Sequence, residues 1–254
     1  VRSVATHPGT TMLQVIPSRA TSRARVLDQP TSERRSALES PRLGIGAINP
    51  EEVEVTMRPH RRAFMPGSTR AVIVMTEMPG ISPHVARFAR WVRDAGFTVY
   101  MPHIFGKDGA VPRMPGAVFT MIGGCISRQF RAFQANESSP ATLWLRALAA
   151  FAHLECGGKG VGAIGMCFTG NFALSMMLEP SVLAPVLSQP SLPLNDAAGM
   201  HIHPDELAAV KVRMEAEDLT VLAYRFEGDK FCKAAGFAAY EDALGDRFIG
   251  RVLS

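Results

Sequence analysis

No stretch of the 254-residue chain stays apolar for the roughly 18 residues that a membrane-spanning helix needs, so a transmembrane protein is not expected. Cysteine is scarce. The four present, Cys125, Cys156, Cys167 and Cys232, include no C-x-x-C pair. Zinc ribbons and redox dithiols need closely spaced thiolates or a matching His pair, and a disulfide framework needs more cysteine in a smaller chain. A reducing, cytoplasmic setting is the expectation. Glycine (22) and proline (18) are near average usage, with 47% apolar and 20% charged residues. That balance excludes a disordered, collagen-like or low-complexity chain.

A basic field is also missing from most of the molecule. Residues 1–50 carry seven arginines and three acids, and these account for the whole net charge of +4. Residues 51–254 are neutral, with nothing to gather phosphates, so no nucleic-acid partner is expected. The leader is rich in Ser, Thr, Pro and Arg, has no apolar h-region, and shows neither strand nor helix periodicity. Asp28, Glu33 and Glu39 argue against a transit peptide. Residues 1–50 read as a flexible extension and 51–254 as one domain.

Within that domain, short apolar runs alternate with helix-length segments. Strands are expected at Ala71–Thr76, Thr98–Met101, Gly160–Gly165, Val182–Ser188, Thr220–Phe226 and Phe248–Leu253. Between them fall helices from Ser82-Pro83 to Gly96, over 117–134, 139–153 and 170–178, and over Pro204–Glu217 and Phe231–Leu244. The implied fold is α/β: a mainly parallel sheet flanked by helices. Function in such a sheet belongs at the carboxyl ends of the strands. The residues to inspect there are Glu77-Met78-Pro79-Gly80, His103, Met166-Cys167-Phe168, Gln189 onward, and Glu227-Gly228-Asp229.

The strongest local signal is Gly165-Met166-Cys167-Phe168-Thr169-Gly170. A nucleophile on a sharp strand-to-helix turn needs small residues around it, because flanking chains approach closely. The same position faces the unpaired amides of a helix start, which favour thiolate and oxyanion. Asp229, after the Thr220–Phe226 strand, stands where a hydrolase of this order places its acid. The loop from Glu77 can donate one oxyanion-hole N–H, with the other from Phe168.

The stretch Val72–Gly106, with GMCFTG and Glu227-Gly228-Asp229, resembles the dienelactone hydrolase family of α/β-hydrolases. The resemblance implies an ester or lactone hydrolase with a Cys–Asp–His triad, Cys167 being the nucleophile and Asp229 the acid. It makes Glu77 the glutamate that contacts the resting thiol, and the amides of Met78 and Phe168 the oxyanion hole. Arg128, or Arg131, would face a substrate carboxylate, although a solvated helix face is the simpler reading of both. The partner implied is a small-molecule substrate, with no cofactor and no metal.

Thr169 departs from the family's elbow, where a glycine is usual. The larger departure is the histidine: none of the seven (His7, His60, His84, His103, His153, His201, His203) follows Asp229. The family's closing helix is likewise not reached, so the domain reads as incomplete at its C-terminus, with the triad histidine expected beyond Ser254. His201, His203 and His103 lie at the functional edge, but His203 is more simply the residue ahead of the Pro204 helix start. The competing reading is an inactive α/β-hydrolase-fold binding module.

Overall fold

Small and β-branched residues that repeat without a polar face can only be satisfied by cover on both sides, and Ala71–Met75 meets that condition. A computed structural model describes residues 14–15, 60–63, 65–77, 80–104, 109, 140–193, 196 and 198–254. In it β1 (Gln14–Val15) and β2 (His60–Ala63) precede β3 (Ala71–Met75), α1 (Pro83–Asp94) and β4 (Thr98–Pro102). Then come α2 (Pro140–Cys156), β5 (Val161–Met166), a 3-10 turn over Cys167–Thr169, and α3 (Gly170–Ser175). β6 (Val182–Ser188), α4 (Pro204–Ala216), β7 (Val221–Phe226), α5 (Ala234–Leu244) and β8 (Phe248–Leu253) complete the order.

The eight strands form one sheet in the order β1-β2-β4-β3-β5-β6-β7-β8. β2 runs antiparallel to β1 and β4, and every other pairing is parallel. Every residue of β3 and β4 is buried. Alternate residues of β3 serve opposite faces. Val72 and Val74 pack with Val85, Ala86 and Ala89 of α1. Ile73 and Met75 belong to the larger cluster, with Leu145 and Leu148 of α2, Phe172 of α3, Val210 of α4 and Tyr240 of α5. Each buried Val, Leu, Ile, Met or Phe contributes about 1.5–3 kcal/mol, so these two clusters hold the sheet together. Exposed pairs such as Arg93–Asp94 and Arg213–Glu217 add at most about 1 kcal/mol each.

One ion pair is of another kind. Arg146 of α2 donates from Nε and Nη2 to the Ser175 carbonyl at 3.0 and 2.8 Å, and from Nη2 to Glu206 Oε1 at 2.7 Å. Both side chains are nearly closed to solvent, and together they tie α2, α3 and α4 beneath the sheet.

The expected strands all occur within a residue or two. Three differences stand out. β2 escapes a sequence reading because His60-Arg61-Arg62-Ala63 has a single apolar residue. The helix read over 170–178 is shorter, giving way to a 3-10 turn at Met176–Leu178. α5 starts at Ala234 because the carboxylate of Asp229 takes the amides of Phe231 and Cys232 into a turn. The helix expected over 117–134 lies outside the described residues, as does all of the leader except Gln14–Val15. Among the described residues no helix is long and apolar enough to cross a membrane.

Removing one partner of a buried pair leaves the other charge without compensation. Arg146→Met should therefore lower stability by about 3–5 kcal/mol in urea unfolding, and Arg146→Met with Glu206→Leu should recover most of the loss. A double variant no more stable than the single would show that the pair acts otherwise.

Candidate active site

The turn after β5 is sharp because Cys167 sits at φ +56°, in the left-handed region where a side chain costs energy. Its neighbours explain how the turn persists. A Cβ on Gly165 would lie 2.1 Å from the Thr169 carbonyl oxygen, and one on Gly170 would lie 2.7 Å from the Pro190 Cα. Neither position tolerates a larger residue. Thr169, the departure noted in the sequence, is fully buried and has a structural use. Its hydroxyl accepts the Met166 N–H at 2.9 Å and is within donating distance of the carbonyls of Met166 (3.0 Å) and Met75 (3.1 Å). A glycine there could not tie the turn to the end of β3.

The turn leaves Cys167 partly buried, with its sulfur 3.2 Å from Ser191 Oγ. The backbone amide of Phe168 also favours the thiolate. Burial pushes the thiol above its ordinary pKa. The negative charges of Glu77 and Asp229 push the same way, while Ser191 and Phe168 pull it down. Glu77, Phe168 and Asp229 therefore all act on the Cys167 sulfur.

Glu77 occupies the first position of a tight turn, where the Gly80 N–H donates to the Glu77 carbonyl at 2.8 Å. Burial raises the pKa of its carboxyl, and the positive charge of His84 partly offsets the rise. Asp229 is fixed differently. Its Oδ1 accepts the amides of Phe231 (2.8 Å) and Cys232 (2.9 Å), which aims one edge of the carboxylate at the backbone. Cys232 itself is buried, its thiol pushed up to about 12 by burial and then by the Asp229 charge, which makes it a structural cysteine.

Met78, the second proposed oxyanion donor, and Arg128 and Arg131 lie outside the described residues. His203 caps α4, its Nδ1 accepting the Asp205 N–H at 3.2 Å. His201 is partly buried, and burial lowers its pKa. Ser191 was not singled out from the sequence. The one signal was position, because it follows Gln189-Pro190 directly after β6 at the sheet edge already marked for inspection. Among the described residues no cluster of three or more His, Cys, Asp or Glu is placed to hold a metal ion. A cavity of about 330 Å³ bordered by Met214, Glu215, Leu244 and Arg247 lies toward the amino end of β8, at the opposite edge of the sheet from the elbow.

A mainly parallel sheet, helices on both faces and a strained cysteine on a strand-to-helix turn define an α/β-hydrolase fold. The sequence model of the dienelactone hydrolase family matches residues 61–202, and the chain belongs to that family. Among solved structures it is similar to a candidate dienelactone hydrolase of Klebsiella pneumoniae subsp. pneumoniae, at 17% identity and a TM-score of 0.53, covering 77% of this chain and 79% of that one. A dienelactone hydrolase-like promiscuous phosphotriesterase from metagenomic libraries is 20% identical, with a TM-score of 0.51 over 77% of this chain and 74% of that one. The dienelactone hydrolase of Anabaena variabilis is 17% identical, with a TM-score of 0.50 over 76% and 77%. At these identities the likeness establishes the fold. A search of the curated proteins returns no match. Family and fold together support a hydrolase.

Because burial and two carboxylates all favour the neutral thiol, alkylation of Cys167 should rise with pH to a midpoint above the ordinary thiol value of about 8.5. Glu77→Gln removes one negative charge and should move that midpoint down. Peptide-resolved labelling by mass spectrometry reads both. A midpoint at or below 8.5 in the parent protein would contradict this electrostatic account.

Proposed function

We propose that the protein is an ester or lactone hydrolase of the dienelactone hydrolase type, acting on a small-molecule substrate through the sulfur of Cys167. The observation that carries this reading is the left-handed cysteine at the carboxyl edge of the sheet, within electrostatic reach of Glu77 and Asp229.

The chemistry follows from those positions. The thiolate attacks the substrate carbonyl carbon, and the Phe168 N–H, with that of Met78, takes the developing oxyanion. Each such donor is worth on the order of 10²–10³ in turnover. Collapse of the tetrahedral species breaks the C–O bond, the alkoxide taking up the proton that the base removed from the thiol, and leaves a thioester on Cys167, which water cleaves to the carboxylic acid and the free thiol. Asp229 has the place of the acid that orients an imidazole and stabilises it once charged. Glu77 opposes the forming thiolate by its charge, so the oxyanion-hole and sulfur-directed donors must offset it.

Burial and the nearby carboxylate charges hold Cys167 in its neutral form, and that favours a second reading, in which the fold binds a ligand without turning it over. The two readings part on an activated aryl ester, whose leaving group needs no protonation. The hydrolase reading expects a burst of one equivalent of phenolate per chain, faster at higher pH, with the acyl group on Cys167 and no burst in Cys167→Ala. Added imidazole should raise turnover above the rate it produces with Cys167→Ala, and Asp229→Asn should blunt that gain. A burst that survives Cys167→Ala would refute the cysteine mechanism. No acylation at any pH would leave the binding module.

A further inference from the structure

The segment that leaves β6 is strapped across the nucleophile turn. Gln189, itself at φ +38°, donates its N–H to the Tyr224 carbonyl of β7 at 2.7 Å. Pro190 packs on Gly170 so closely that no Cβ fits between them. The Ser191 N–H donates to the Cys167 carbonyl at 3.2 Å, and Asn171 Nδ2 of α3 donates to the Leu192 carbonyl at 3.0 Å. Four successive residues are therefore held against β7, the elbow or its helix. Ser191 is only 4% exposed, and its hydroxyl lies 3.2 Å from the Cys167 sulfur.

We infer that Ser191 is a positioning residue for Cys167, its hydroxyl fixing the direction of the sulfur and donating a hydrogen bond to it once the thiol proton has left. The inference rests on Cys167 being the nucleophile. A hydroxyl and a neutral thiol can each donate to the other, so the resting pair is satisfied either way. A thiolate can only accept. Its formation turns Ser191 into the donor and converts an ordinary contact into a charge-assisted one. The strap supplies what this requires, because the backbone bond of Ser191 to Cys167 fixes the spacing of the two side chains before any proton moves. Ser191 also opposes Glu77 and Asp229, whose charges disfavour the thiolate.

The test is Cys167 alkylation by iodoacetamide, followed by peptide mass spectrometry across a pH series. Cys156, a partly exposed thiol away from the elbow, serves as internal reference. Ser191→Ala should shift the Cys167 midpoint upward and slow its labelling near pH 8 about tenfold, with Cys156 unchanged. Ser191→Thr, which keeps the hydroxyl, should return the profile toward that of the parent. An unchanged profile in Ser191→Ala overturns the inference. So does a Ser191→Thr profile equal to that of Ser191→Ala, since the site would then be reporting packing alone. The hydrolase reading fails separately, by aryl-ester acylation that does not need Cys167, whatever the labelling profiles show.

Discussion

A backbone turned to φ +56° at Cys167 costs about 1–3 kcal/mol, and the site exists only because its surroundings hold that conformation. Three separate contacts do so. Gly165 lets the Thr169 carbonyl approach, Gly170 lets Pro190 approach, and Thr169 bonds both the elbow and the end of β3. Once the turn is imposed, the sulfur comes within 3.2 Å of the Ser191 hydroxyl, and the Phe168 amide favours its thiolate. Relaxing Cys167 into the ordinary helical region would turn sulfur and amide away together. The hydrogen bonds and charges of the site are consequences of this one dihedral.

The electrostatics of the resting site oppose the chemistry that its geometry permits. A thiol nucleophile works as thiolate, yet burial and two carboxylates retain its proton. Such an arrangement keeps the thiol quiet until a base arrives, and it raises the value of every donor aimed at the sulfur. Ser191 and the Phe168 amide are those donors among the described residues. Cys232, also under the Asp229 charge, is pushed up to about 12 chiefly by burial, even with the Arg225 guanidinium pulling the other way.

Much of this was legible in the sequence because it depends on residue types with few alternative uses. A glycine two before and three after a cysteine, between a continuous apolar run and a helical pattern, leaves little choice but a tight turn. The parallel strands were readable for a related reason, since Ala71–Met75 is a continuous apolar run with no polar face to present to water. β2 was not legible: its place follows from antiparallel pairing with β4, and a four-residue HRRA run carries no alternation to reveal it. Ser191 was not legible either. Serines in loops are common, and only the return of the chain from β6 over the elbow distinguishes this one. Thr169 read as a departure from a family pattern, and its hydroxyl proves to be a tie.

The sheet order explains how residues spread over about 150 positions meet at one sulfur. Glu77, Cys167, Ser191 and Asp229 follow β3, β5, β6 and β7, which are consecutive neighbours in the sheet. With strands about 4.8 Å apart, four parallel neighbours deliver their carboxyl ends along a row of about 14 Å. The chain also reverses direction across the sheet at β3. The crossover through α1 leads from β3 to β4 on one side, and the crossover through α3 leads from β5 to β6 on the other, with the two helices on opposite faces. Loops that leave adjacent strands for opposite faces must part, and the crevice between them opens where β3 and β5 end. Glu77 stands on one lip and Cys167 on the other. A carboxylate beside the thiol is thus a consequence of strand order, and any residue in the first turn after β3 would share that lip.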